Sequence, residues 1–221
     1  MATKIFAFEK SLYQYFRKKR FKFFISLLER VKTDKTIQIL DIGGTEIYWE
    51  RMKFSNNTNV IVTLLNLEKV PTKNNNFISI KGDASDLSLF KDKQFDVVFS
   101  NSVIEHLFSF DNQEKMAAEV MRVGKYYYVQ TPNYFFPIEP HWEFPFFQFL
   151  PFKIRVFLTK NFNLGYYKKT ANEEDAIKLV SEIRLLTEKQ MKRLFPGGKV
   201  YRETFLGVLV KSITLYSFLE K

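Results

Sequence analysis

Hydrophobic and polar positions divide this chain into three regions. From Lys4 to Val31 the apolar residues, among them Phe8, Leu12, Phe16, Phe23, Phe24 and Leu27, recur at helical spacing, which predicts an amphipathic leader of one or two helices. Beyond it come short apolar runs rich in β-branched and aromatic residues: Ile37 to Ile42, Val60 to Leu65, Phe77 to Ile80, Phe95 to Ser100 and Tyr126 to Thr131. Polar or helical stretches separate them. Ile47 to Phe54, a short turn near Ser85 to Phe90, and Asn112 to Val123 read as crossovers, while Asn56 to Asn59 and Lys73 to Asn76 read as exposed loops. Such alternation predicts buried strands in a parallel sheet. The last third differs: Thr187 to Phe195 is helical in pattern, Pro196 to Gly198 is a turn, and Val200 to Phe205 and Val208 to Phe218 read as strands around Gly207. Two β runs joined so closely predict an antiparallel hairpin at the sheet edge. The expected architecture is therefore α/β, a doubly wound, mostly parallel seven-stranded sheet closed by a hairpin. A helical leader covers residues 1–35, and the main domain covers 36–221 with a lid insertion at about 132–183.

Composition narrows the chemistry. At 221 residues the chain suits one domain with a substantial core. It has no cysteine, which excludes disulfides, thiolate metal sites and cysteine nucleophiles, and leaves His106 and His141 as its only imidazoles. No apolar run approaches the twenty or so residues of a spanning helix, and the start lacks a signal-peptide pattern. A cytoplasmic location is expected. A net charge of +10 with 17% aromatic residues suits an anionic partner. Arg17, Lys18, Lys19, Arg20 and Lys22 interleave with phenylalanines in the leader, a pattern that fits either peripheral docking on anionic lipid or a packed helix with a solvated charged face.

Candidate chemistry collects at three successive strand ends. IQILDIGG presents Asp41, Gly43 and Gly44; ISIKGDASDL presents Asp83 and Ala84; QFDVVFSNSVIEHL presents Asn101 and Ser102 and runs on to Glu105 and His106. Glycines after a strand let the backbone turn sharply and approach a ligand, and strand ends of this kind hold ligands in open α/β sheets. A dinucleotide-binding Gly-x-Gly-x-x-Gly and a Walker-type loop are both absent.

In order and spacing, DIGG, GDASDL and FDVVFSNSVIEHL resemble the class I S-adenosylmethionine-dependent methyltransferases, over roughly Ile37 to Thr131. The resemblance implies a Rossmann-like methyltransferase fold and S-adenosylmethionine as cofactor. It places Asp41, Gly43 and Gly44 under the methionine part and Asn66, followed by Leu67, at the ribose, where the family has an acidic residue. Asp83 and Ala84 fall at the adenine, Asn101 and Ser102 at the methionine end. The glycines here are adjacent, whereas the family's alternate.

Methyl transfer rests mainly on orientation, and a base is needed only for a hydroxyl or protonated nitrogen acceptor. His106 is the first candidate base and His141 the second; the latter lies in TPNYFFPIEPHWEFPFFQFLP, a stiff aromatic segment suited to capping the cofactor and shaping an acceptor pocket. That segment resembles the lid of bacterial methyltransferases acting on sugars or surface-glycan intermediates. The acceptor expected is thus a small molecule or a glycan- or lipid-linked intermediate. Nucleic acid is disfavoured, because no Asn/Asp-Pro-Pro-Tyr/Phe follows the fourth strand. Glu105, Glu139 and the two histidines match no standard metal spacing, so no metal is expected. The competing expectation is a degenerate fold that binds or scaffolds without catalysis.

Overall fold

The computed structural model describes residues 2–31, 35–55 and 57–218, with side chains from Gln14 onward in the first helix. Asn56 of the expected loop, the side chains of Phe8 and Leu12, and residues 219–221 lie outside the described residues. A single helix, α1 (Ala2–Leu28), precedes five parallel strands: β1 (Ile37–Ile42), β2 (Val60–Asn66), β3 (Phe77–Lys81), β4 (Phe95–Asn101) and β5 (Gly124–Pro132). Two-residue strands β6 (Ile138–Glu139) and β7 (Phe144–Pro145) pair with each other, and β8 (Lys199–Phe205) and β9 (Leu209–Tyr216) form the closing hairpin. The seven-stranded order is β3-β2-β1-β4-β5-β9-β8, with β9 antiparallel to β5. Between the parallel neighbours β1 and β4 the strand order reverses, which opens a crevice at the carboxyl edge, where doubly wound sheets hold their ligands.

Helices α2 (Glu46–Arg51), α3 (Phe110–Val123), α4 (Phe152–Asn161), α5 (Glu173–Glu182) and α6 (Glu188–Leu194) start and stop where local chemistry directs. Ser109 caps α3, Asn172 caps α5, and Thr187 with Gln190 forms a capping box on α6. The expected helix from Ile47 to Phe54 ends early at Arg51. Lys53 turns left-handed at φ 59°, and the amides of Lys53 and Phe54 close on the carbonyls of Glu50 and Trp49, the Schellman pattern of a helix terminus. Phe54 then packs on Trp49, with ring centroids 5.5 Å apart.

The β2-to-β3 and β3-to-β4 crossovers are irregular among the described residues. A long-range polar tie shapes the first: Glu46 accepts hydrogen bonds from the backbone amides of Lys73 and Asn74 at 2.7 and 2.9 Å.

Two cores flank the sheet. On one face α3 and α6 cover Leu40, Val98 and Val129. On the other, α1 lays Phe21, Phe24 and Leu27 over Ile39, Trp49 and Phe99, each large buried side chain contributing roughly 1.5–3 kcal/mol. The interleaved leader resolves accordingly: Phe16, Phe21 and Phe24 turn inward, while Arg17, Lys18, Lys19 and Lys22 face out. Arg20 departs from the cationic face. It is buried, and its guanidinium donates to the fully buried Glu203 of β8 at 2.7 Å.

Between β5 and α6, a third core joins Trp142, Phe147, Val156, Ala176 and Val180. Trp142 stacks on Phe147 at 4.4 Å and donates its indole N–H to Thr159. This segment leaves Phe146, Phe149, Phe152, Phe157 and Phe162 exposed.

Candidate functional site

Buried carboxylates are costly unless paired, so Asp41 is the natural starting point. It ends β1 on the α1 face of the sheet and is 1% exposed. One oxygen, Oδ2, accepts from the Trp49 indole at 2.7 Å; the other, Oδ1, has no hydrogen-bond partner among the described residues. Burial pushes the carboxyl up to about 8, against a smaller opposing pull from the indole bond. An acceptor left orphaned in this way is suited to a cationic ligand.

The adjacent glycines each have a distinct reason. Gly43 sits at φ +73°, and a Cβ there would meet Val103 Cγ2 at 2.4 Å. At Gly44 a Cβ would fall 1.7 Å from Asp41 Oδ2, so the carboxylate occupies the space a side chain would fill. Asn66 fixes the loop from β2: its amide nitrogen donates to the Gly44 carbonyl at 2.9 Å.

A cavity of about 750 Å³ opens over this loop, within the range of small-molecule sites. Asp41, Gly43, Gly44 and Asn101 line it from the strand ends, Arg17 and Lys18 from α1, and Tyr166 from the segment between α4 and α5. Asn66, Leu67, Asp83, Ala84 and Ser102 stand at neighbouring strand ends but outside this lining. Leu67 is 71% exposed, Asp83 Oδ1 accepts from the amide and hydroxyl of Ser85, and Ser102, at φ 59°, donates its hydroxyl to Gln130 at 3.0 Å. Glu68 pairs with Lys81 on the surface.

Past the end of β4, a one-turn 3-10 helix (Ile104–His106) carries Glu105 and His106. The loop after β6 brings His141 against them: the imidazole centroids lie 4.9 Å apart and perpendicular. Each ring has a carboxylate at Nδ1, Glu182 of α5 at 3.3 Å for His106 and Glu139 at 2.7 Å for His141. Glu105 is fully buried; Thr131 donates to its Oε2 at 3.0 Å. Burial raises the Glu105 carboxyl above its ordinary range, and the two histidines oppose that rise. Burial pulls the His141 imidazole down, but its bond to Glu139 together with the charges of Glu139, Glu105 and Glu182 outweighs this, and the net shift is upward. Tyr166 links the two places, because its amide donates to the His141 carbonyl at 3.0 Å while its ring lines the cavity.

Residues 40–126, which run from the second half of β1 to the first residues of β5, match the sequence profile of the family described as methyltransferase domain. This segment is a class I methyltransferase domain. Its fold agrees with solved relatives of low identity. A carbon methyltransferase, CurJ, superposes with a TM-score of 0.55 at 11% identity, covering 90% of this chain and 53% of that one. A methyltransferase assigned to an antibiotic biosynthesis pathway of Anabaena variabilis gives 0.50 at 17%, covering 86% and 68%. Two uncharacterized proteins of Mycobacterium tuberculosis are 41% identical over 56 residues, 25% of this chain and 19% of theirs. The aligned stretch thus spans about a fifth of the length of those curated relatives.

Within the methyltransferase domain, the strand ends were readable from the motifs. Three elements of the site were not. Trp49 looks like any core aromatic, eight residues beyond Asp41. Arg17 and Lys18 read as surface charge. Glu182 is separated from His106 by 76 residues and carries no local signature.

Proposed function

We propose that this chain transfers the methyl group of S-adenosylmethionine to an acceptor held at the carboxyl edge of the sheet. The observation that carries this reading is the charge layout of one cavity: a buried Asp41 oxygen with no hydrogen-bond partner among the described residues on one side, Arg17 and Lys18 on another. An amino-acid zwitterion complements that layout, its ammonium toward Asp41 and its carboxylate toward the cations. When bound, the cofactor supplies an electrophilic methyl on a sulfonium. Gly43 and Gly44 would leave room for the cofactor over the loop, Asn101 and Ser102 would hold its methionine end, Asn66 and Leu67 its ribose, and Asp83 and Ala84 its adenine. Positioning supplies most of the rate, and His106 and His141 stand ready to take a proton from a hydroxyl acceptor.

Titration calorimetry with S-adenosylmethionine tests this. Because Asp41 holds its proton up to about pH 8 in the free protein, and an ammonium partner favours the anion, binding should release a proton below that pH. Affinity is expected to rise by up to about tenfold per unit from pH 6 toward pH 8 and to fall above it as the ligand's own α-ammonium loses its proton. Asp41→Asn should weaken binding and flatten the profile. A pH-independent affinity in the wild type would remove Asp41 from the site.

The competing reading, a domain that binds without catalysis, draws support from Asn66, which stands where the family has an acidic residue and whose amide nitrogen already serves the Gly44 carbonyl. A folded protein with no affinity for S-adenosylmethionine would favour it.

For the acceptor, the exposed rings of Phe146, Phe149, Phe152, Phe157 and Phe162 support an amphipathic, glycan- or lipid-linked substrate met at a membrane surface. No helix among the described residues is long and apolar enough to cross a membrane. With Arg20 buried, lipid contact falls to the outward cations of α1. Flotation with phosphatidylglycerol vesicles is expected to weaken on Lys19→Gln with Lys22→Gln by about 1 kcal/mol per charge at low salt. Equal flotation with neutral vesicles would sink the electrostatic part.

A further inference from the structure

We propose that Glu105, His106 and His141 form a binding site for a divalent transition-metal ion. One carboxylate oxygen of Glu105 and one ring nitrogen of each histidine lie within 4.8 Å of one another. Ligand atoms of a tetrahedral zinc site stand roughly 3.3 Å apart, so a contraction of about 1.5 Å closes the triangle, within the reach of small side-chain rotations.

The surroundings supply what such a site needs. Glu105 Oε1 is buried and accepts no hydrogen bond from any described residue, while Oε2 is held by Thr131. An oxygen so placed is an unmet demand for positive charge. Both imidazoles meet a carboxylate at Nδ1, Glu182 and Glu139. A ring donating from Nδ1 carries its lone pair on Nε2, and outer carboxylates of this kind orient metal-bound histidines and raise their basicity. Glu139 is itself fixed, accepting from the backbone amides of His141 and Trp142 at 2.7 and 2.8 Å.

Two imidazoles and one carboxylate select zinc or a neighbouring first-row ion over magnesium, and three protein ligands leave a position open. On the methyl-transfer reading, on which this last step rests, that position would take an acceptor hydroxyl and lower its pKa so that its proton passes to solvent, the ion replacing the histidines as the activating group. Metal binding itself is independent of the cofactor reading.

The experiment titrates zinc chloride into the untagged, chelator-treated full chain against a competing chromophoric chelator, with no S-adenosylmethionine present. One ion per chain is expected, with magnesium binding far more weakly. His141→Gln and Glu105→Gln should each weaken zinc by about 100-fold or more, and Glu139→Gln by about 10- to 100-fold through ring orientation. Cobalt substituted into the wild type should show the intense visible absorption of a low-coordinate site, a readout that does not depend on any variant folding. Absence of zinc binding, zinc binding unchanged in His141→Gln, or a cobalt spectrum like that of the aqueous ion would each overturn the proposal. Calorimetry with S-adenosylmethionine on the metal-free chain then tells failure of this site from failure of the cofactor site.

Discussion

Gly44→Ala is expected to weaken S-adenosylmethionine binding by at least about 100-fold, roughly 2.7 kcal/mol, and to lower the melting temperature as well. A Cβ at this position would lie 1.7 Å from Asp41 Oδ2 and 2.0 Å from its Cγ, far inside any contact distance. The carboxylate must therefore move, and it cannot move without leaving the Trp49 indole, which is buried and donates to no other acceptor among the described residues. An orphaned buried donor costs about 1–3 kcal/mol in stability. The displaced Asp41 also leaves the cavity floor, so binding falls with it. Gly207→Ala is the control: φ there is +75° but nothing lies within 4 Å of its Cβ. It should cost about 1–2 kcal/mol of backbone strain and leave binding unchanged. Undiminished affinity in Gly44→Ala would show that the ligand does not rest on this loop.

Glu203→Ala is expected to destabilise the fold by about 3–5 kcal/mol, a large share of the 5–15 kcal/mol of an ordinary domain. Its carboxylate is fully buried, accepts from Arg20 at 2.7 Å and from Ser212 at 3.1 Å, and bears electrostatically on Lys211. Removing it leaves Arg20 buried with another cation nearby. Arg20→Ala should cost less, because Lys211 still offsets the carboxylate. The double change Arg20→Met with Glu203→Leu should recover much of the loss, since a desolvated pair gains little over an apolar one. Urea unfolding measures all three. A loss below about 1 kcal/mol for Glu203→Ala would mean that the pair stays hydrated.

How far the sequence foretells this molecule depends on the range of the interaction. Strands β1 to β5 are apolar runs bounded by polar turns, and α3 and α6 begin at Ser109 and Thr187; each signal lies within a few residues of the element it defines. The edge hairpin followed from two β runs around Gly207. The β2-to-β3 connection read as a loop at Lys73 to Asn76, but what holds it was not legible, because Glu46 holds Lys73 and Asn74 from 27 and 28 residues away. The leader's direction was ambiguous for a similar reason. Its phenylalanines and cations alternate closely enough to suit a bilayer or a core, and only the sheet face decides that Phe21 and Phe24 turn inward and that Arg20 goes with them. At the candidate site, the strand-end residues were visible as motifs. The meeting of His106 with His141 was not, because it depends on how residues between β5 and α6 fold back, and spacing along the chain says nothing of that.

The Arg20–Glu203 contact also has a temporal meaning. Its partners are 183 residues apart, and Phe218 joins the same apolar cluster as Phe21 and Phe24. At translation speeds of 5–20 residues per second, Arg20 waits roughly 10–40 s on the ribosome for its counter-charge. Through that interval α1 presents its aromatic face without the strand that anchors it. Contacts this distant also slow spontaneous refolding.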